Sequence, residues 1–178
     1  ITVEGQLSVA GTKHQFDHIL NVTGPWSEQL LTDSDITPKR QLKLVRGSHL
    51  LLPGMGRYGH MLEVPGERRI VFAVPFQGKT LLGTTEVEQQ ISEQTQCSES
   101  EESYLMNAYK HYFDLADEGK EVLGRFAGVR PLIASHTSAT RTSREYELHQ
   151  QGCVLTVYGG KWTTSRALAQ KVCEYIGG

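Results

Sequence analysis

Tyr158-Gly159-Gly160-Lys161-Trp162-Thr163-Thr164-Ser165-Arg166 is the stretch on which the reading of this chain turns. An apolar run from Cys153 to Tyr158 enters two glycines. Beyond them Ala167, Leu168, Val172 and Ile176 recur at helical spacing. This is strand, turn and helix. Glycine permits the backbone conformations that so abrupt a turn demands. Thr163 or Thr164 can cap the helix, predicted to run to Ile176. Its free N–H groups, with Lys161, make a corner suited to an anion, whereas a plain glycine turn before a helix is the bland account.

Outward from that stretch the chain reads mostly as strand. Gln6 to Ala10 and Phe16 to Val22 are two short strands around Gly11-Thr12, and Leu42 to Leu52 is a longer one stopped by Pro53. Arg69 to Pro75 and Thr80 to Leu82 form a predicted hairpin about Gln77-Gly78, and Val122 to Val129 is a further strand. Between them Tyr104, Leu105, Ala108, Tyr109, Tyr112 and Phe113 recur at three and four, behind Glu99, Glu101 and Glu102. That is an amphipathic helix with acids in its first turn, where the macrodipole favours them and water is expected to surround them. Strands dominate and helices are few and late. The expected class is α+β, a mixed and largely antiparallel sheet with few helices, plus one strand-turn-helix unit.

Composition narrows the function. The 178 residues are 38% hydrophobic and 21% charged, an ordinary globular balance. Eighteen basic against twenty acidic residues argue against a sequence-blind nucleic-acid binder. The charge is unevenly spread: net +2 over residues 1–83, −8 over 84–121 and +4 over 122–178, so an anionic ligand belongs with the C-terminal block. No apolar run approaches the roughly 20 residues of a membrane span. Cys97, Cys153 and Cys173 are odd in number and lack CxxC spacing, which suits a reduced compartment without structural zinc. The histidines show no metal-ligand spacing, so no metal site is expected. The opening Ile1-Thr2-Val3-Glu4-Gly5 reads as the middle of an element, and the expectation is a piece of a longer protein.

Two motifs mislead. Gly54-Met55-Gly56-Arg57-Tyr58-Gly59 matches GxGxxG, but Pro53 precedes it and a short strand from His60 follows, so it is expected to be a hairpin loop and not a dinucleotide fingerprint. Asn21-Val22-Thr23 is formally a glycosylation sequon where a strand turns inward.

Three further segments join rigid backbone to polar groups beyond what packing requires. In Asn21-Val22-Thr23-Gly24-Pro25-Trp26-Ser27 a strand ends in a turn open to close approach. Val45-Arg46-Gly47-Ser48-His49-Leu50 sets an imidazole in an apolar strand, where a satisfied structural histidine is the commoner case. In Phe126-Ala127-Gly128-Val129-Arg130-Pro131-Leu132 an Arg closes an apolar strand and, if buried, must meet an anion or acceptor.

These segments, with Ile70 to Pro75, Leu82-Gly83-Thr84-Thr85 and Thr142-Ser143-Arg144-Glu145-Tyr146, are collinear over nearly the whole chain. Together they resemble the C-terminal half of the FAD-dependent, aerobic glycerol-3-phosphate dehydrogenases, within the D-amino-acid-oxidase-like flavoproteins. Glu86 stands where that family usually has Asp, Trp162 replaces a common Leu, and Ser165 replaces Tyr before Arg166. The family's Gly-rich ADP-binding fingerprint has no counterpart here. The resemblance implies three segments: residues 1–41 as a fragment of an FAD-binding domain, 42–140 as a substrate-binding sheet with the acidic helix, and 141–178 returning to the FAD-binding domain.

The implied reaction oxidises sn-glycerol 3-phosphate to dihydroxyacetone phosphate, with hydride passing to FAD and electrons leaving to quinone. His49 is then the general base or its orienter. Arg130 stabilises developing alkoxide beside the flavin. Arg144 grips the phosphate, and Lys161 serves substrate or flavin. Thr23, Gly24, Gly160, Lys161, Thr163 and Thr164 are the implied flavin contacts. The resemblance further implies a cytoplasmic protein, at most peripheral on the inner face of the membrane, and it admits a homodimer. The isolated chain is expected to be colourless and inactive. The rival readings are a flavoenzyme of the glycine or sarcosine oxidase type, binding a carboxylate, and a non-catalytic anion-binding module. Arg130, Arg144 and Lys161 together favour a dianionic phosphate.

Overall fold

The computed structural model describes residues 1–54, 56–113, 121–134 and 146–177. The chain divides into two compact units, one of Ile1–Leu44 with Arg130–Gly178 and the other of Val45–Val129. It passes between them inside two strands, β4 (Leu42–Leu52) and β9 (Gly124–Ile133).

The first unit begins with a hairpin, β1 (Gln6–Val9) and β2 (Thr12–Gln15), whose turn residues Ala10 and Gly11 both have positive φ. Next comes β3 (Ile19–Asn21), a 3-10 turn over Gly24–Trp26, and the short helix α1 (Ser27–Thr32). Its last part holds β10 (Tyr146–Gln151), β11 (Val154–Gly159) and α3 (Ser165–Gly177). The sheet order is β10-β11-β3, antiparallel between β10 and β11 and parallel between β11 and β3. Val154 to Tyr158 are all buried, which explains why this central strand reads as a continuous run without alternation. Val154 and Tyr158 pack with Ile19, Leu31, Ile36 and Leu42. Leu155 and Val157 turn the other way, onto Val172 with Leu168 and Ile176 beside it.

The second unit is built on β5 (His60–Glu63), β6 (Ile70–Phe76), β7 (Lys79–Gly83) and β8 (Val87–Glu88), in the order β5-β6-β7-β4-β8, with β9 also on β4. The β5–β6, β6–β7, β4–β7 and β4–β8 pairings are antiparallel. The molecule is thus α+β with largely antiparallel sheets, as its strand-rich sequence leads one to expect. Gln77 and Gly78, both at positive φ, form the two-residue turn that suits the twist of β6 and β7. One face of the sheet, with Leu50, Leu52, Val71, Ala73 and Leu82, packs on Leu105, Met106 and Ala108 of α2 (Glu99–Tyr112).

Local expectations change in several places. Gln6–Val9 pairs across Ala10-Gly11 with Thr12–Gln15 and not with Phe16 to Val22, of which only Ile19–Asn21 is strand, paired with β11. The GxGxxG segment is not a hairpin loop, because β4 and β5 are separated in the sheet by β7 and β6. Tyr112 and Ala167 lie outside the core faces expected of their helices, and the Tyr112 hydroxyl donates to the Glu63 carbonyl at 2.8 Å. Arg130 sits within β9 rather than at its end. Finally, α3 starts at Ser165 behind a 3-10 turn over Trp162–Thr164, and neither threonine caps it: the Thr164 hydroxyl donates back to the Lys161 carbonyl.

Candidate functional site

In the first unit, two glycine turns leave the same end of two parallel strands. Residues Ile19, Leu20 and Asn21 pair with Val154, Leu155 and Thr156, so the turns after Asn21 and after Tyr158 emerge side by side. The carboxyl end of parallel strands is where open α/β sheets collect ligands. Asn21 is fully buried and fixes the first turn. Its amide nitrogen donates to the Ser27 carbonyl at 3.0 Å, and its Oδ1 accepts from the Thr23 hydroxyl at 2.7 Å. A side chain so enclosed carries no glycan. The sequon is a structural device.

Gly24, Gly159 and Gly160 all have positive φ, and Gly160 lies so near Leu168 of α3 that an added Cβ would stand 3.1 Å from it. Between the turns and α3 opens a pocket of about 470 Å³. Leu20, Val22, Val157, Leu168 and Val172 supply its apolar walls, and Gly24, Gly160 and Lys161 its polar rim. Trp162 at the mouth is 92% exposed. Of the flavin contacts inferred from sequence, Gly24, Gly160 and Lys161 line this one pocket, while Thr23, Thr163 and Thr164 flank it in the chain.

The second unit holds His49. Its ring stacks on Phe126 of β9 at a centroid distance of 4.9 Å and an interplanar angle of 8°. Directly across the β4–β7 ladder is Gly83, and a methyl there would overlap the imidazole. His49 faces away from α2, since its neighbours Ser48 and Leu50 are the buried ones.

Beneath that strand lies a group the sequence reading placed in water. Glu101 of α2 is 3% exposed. Its Oε1 accepts from the hydroxyls of Ser48 (2.7 Å) and Thr85 (2.6 Å). Its Oε2 accepts from Arg46 Nη2 (2.8 Å) and Nε (3.1 Å), and from the Ser98 backbone N–H (3.0 Å) and hydroxyl (2.8 Å). Burial pushes this carboxyl upward, but the hydrogen bonds from Thr85, Ser98, Ser48 and Arg46 overcome it and hold the pKa at about 2. A carboxylate with this many donors stays ionised. Two sequence signals pointed to it: Ser98-x-x-Glu101, the spacing of a capping box, which the helix does form, and its place four and seven residues before Leu105 and Ala108, on the same helix face. Nothing in the sequence brings Arg46, Ser48 and Thr85 to the same carboxylate.

Arg130 is half-buried in the first unit. Arg144 lies outside the described residues. Glu86, where the sequence departs from the usual Asp, stands 3.8 Å from Arg69, whose guanidinium also donates to the Thr84 carbonyl.

A family model for FAD dependent oxidoreductases matches residues 1–175. The chain belongs to that family. The aerobic glycerol-3-phosphate dehydrogenase of Escherichia coli is 31% identical over 168 residues, 89% of this chain and 34% of that protein. The D-erythritol 1-phosphate dehydrogenase of Brucella abortus is 33% identical over 162 residues, 86% of this chain and 32% of that protein. Among solved structures, the Bacillus halodurans glycerol-3-phosphate dehydrogenase, complexed with FAD, aligns with a TM-score of 0.74 at 24% identity, covering 93% of this chain and 33% of that one. A glycine oxidase from Bacillus cereus aligns with a TM-score of 0.67 at 15% identity, covering 98% of this chain and 46% of that one. These two likenesses establish the fold. The chain spans between about a fifth and a third of the length of the dehydrogenases it matches.

The pocket of this FAD-dependent oxidoreductase chain suits part of such a cofactor. Glycines at 24, 159 and 160 keep side chains off its edge, its walls are apolar, and α3 starts beside Lys161. A flat heteroaromatic ring carrying partial negative charge meets its needs there.

Proposed function

We propose that this chain is part of an FAD-dependent dehydrogenase that oxidises sn-glycerol 3-phosphate to dihydroxyacetone phosphate and delivers the electrons to a quinone. The observation that carries the reading is the pair of glycine turns around one apolar pocket with Lys161 on its rim, in a chain of this family. FAD, when bound, supplies the hydride acceptor. Gly24, Gly160 and Lys161 would hold it, with Thr23, Thr163 and Thr164 alongside. His49 receives the proton of the substrate C2 hydroxyl, a task for which imidazole basicity near neutrality is suited. Arg130 offers a fixed cation to the developing alkoxide, and Arg144 grips the phosphate bidentately.

The finer parts of the reading follow the same line. The enzyme is cytoplasmic, peripheral on the inner face of the membrane, and homodimeric, and the 178-residue chain alone does not turn over. Among the described residues no helix is long and apolar enough to cross a membrane. The test is expression of the full-length protein, followed by its flavin spectrum and substrate-driven reduction of a dye. Flavin bleaching by glycerol 3-phosphate is expected. Reduction by glycine or sarcosine instead would overturn the substrate assignment. The Brucella relative's name supports a second reading, a longer polyol phosphate. Tighter saturation by erythritol 1-phosphate than by glycerol 3-phosphate would favour it.

A further inference from the structure

The sequence from Arg46 to His49 carries alternate side chains to opposite faces of β4, so whatever fixes Arg46 and Ser48 also fixes the backbone from which His49 projects. Both are held by Glu101. The same carboxylate binds Thr85, whose hydroxyl accepts from the Ser48 N–H at 2.9 Å and whose N–H lies 3.4 Å from the Ser48 carbonyl. Thr85 is two residues beyond Gly83, the residue that leaves room for the imidazole. One buried oxygen pair therefore ties together the strand carrying His49 and the segment that follows the gap it occupies.

The next residue of α2 reaches the residue beside the ring's stacking partner. Glu102 pairs with Arg125, through Nη2 at 2.9 Å and through Nε, and Arg125 immediately precedes Phe126, on which His49 stacks. Of the two ion pairs, Arg46–Glu101 is the buried one. A buried ion pair is often no better than well-packed apolar residues, and its clearest use is to specify one geometry. Here the geometry specified is that of His49.

We infer that Glu101 is a positioning residue for His49, acting through Ser48 and Thr85 and assisted by Glu102 through Arg125. The inference rests on the proposed role of His49 and adds the residues that aim it. The general base must reach the hydroxyl proton within hydrogen-bonding distance, and a displacement of about 1 Å can cost about 100-fold in rate.

The experiment uses the full-length, flavin-loaded protein with Glu101→Gln and Ser48→Ala made separately and on a His49→Gln background. It reads kcat, KM for glycerol 3-phosphate, thermal midpoint, and the Hε1 resonance of His49 in protein labelled at histidine. Stacking on Phe126 places that proton in a ring current, so a displaced resonance is expected in the parent. Each variant should lower kcat about 10-fold to 100-fold with KM within about twofold, move the resonance back toward its free position, and cost nothing more once His49 is Gln. An unmoved resonance with kcat unchanged and only the thermal midpoint lowered would overturn the inference. Should Glu101→Gln fail to fold, Ser48→Ala, which leaves the Arg46–Glu101 pair intact, decides by itself. If the resonance moves in both variants while His49→Gln alone leaves kcat intact, the positioning stands and the assignment of His49 as base falls.

Discussion

Gly83 stands opposite His49 across the β4–β7 ladder, and the imidazole occupies the space that a side chain on Gly83 would fill. The ring is held there by stacking on Phe126. Gly83→Ala should therefore destabilise the chain by about 1–3 kcal/mol, as overpacking does. In the full-length enzyme it should lower kcat with little change in KM. Urea unfolding and steady-state kinetics read the two effects, and an alanine variant with parental values in both would show that the strand accommodates the methyl.

Glu101 makes stability depend on acid. Its carboxyl titrates at about 2 in the folded chain, against about 4.3 for an unfolded glutamate. A depressed folded pKa contributes stability that is complete above the unfolded value and is lost as pH falls through the folded one. The window is about pH 4.5 to 2, and the contribution is about 3 kcal/mol. Unfolding free energies of the parent and Glu101→Gln, measured from pH 5 downward, should converge across that window. Parallel slopes would mean that Glu101 is not the group being protonated.

Gly160 has φ of +96° and lies close to Leu168. Gly160→Ala should cost about 1–3 kcal/mol from backbone strain alone. Because the residue lines the pocket, the full-length variant should also release FAD more readily. Flavin retained after dialysis, at constant protein fold by circular dichroism, separates the pocket effect from general loss of structure. Retention equal to the parent would detach Gly160 from the cofactor.

Arg144 distinguishes phosphate recognition from carboxylate recognition. A guanidinium grips a phosphate through two parallel bonds that an ammonium cannot reproduce. In the full-length enzyme Arg144→Lys should raise KM for glycerol 3-phosphate, since the contact exists in ground and transition states alike, while Arg141→Lys should not. The bland alternative is a surface ion pair of Arg144 with Glu145 or Glu147, worth about 0–1 kcal/mol. Glu147 is already engaged by Arg40 at 2.6 Å and His149 at 3.2 Å. An unaltered KM would return the carboxylate-substrate reading.

The elements were legible where the local signal was also the tertiary one. Leu42 to Leu52 emerges as a strand with the ends its apolar run suggested, and Gln77-Gly78 forms the hairpin turn its composition demands. The run from Cys153 into Gly159-Gly160 is likewise a strand and a turn, because a strand buried on both faces needs an unbroken apolar run and a reversal at its end needs glycine. Periodicity and turn chemistry are properties of adjacent residues, and they can be read in order along a chain.

Other features belong to the tertiary structure alone. Helical spacing puts Glu101 three, four and seven residues before Tyr104, Leu105 and Ala108, on the buried face of α2, but a carboxylate in a first turn was read by its charge and assigned to water with Glu99 and Glu102. Its burial follows from partners 16, 53 and 55 residues away, Thr85, Ser48 and Arg46, whose donors compensate the desolvation of the charge. The parallel pairing of β3 with β11, which sets the Gly24 and Gly160 turns side by side, joins segments more than a hundred residues apart and has no local signature. Sequence by itself determined which residues could turn, stack or carry charge. Which of them meet was decided by strand register and helix docking, because a hydrogen bond or an apolar contact acts over a few ångströms of space whatever the distance along the chain.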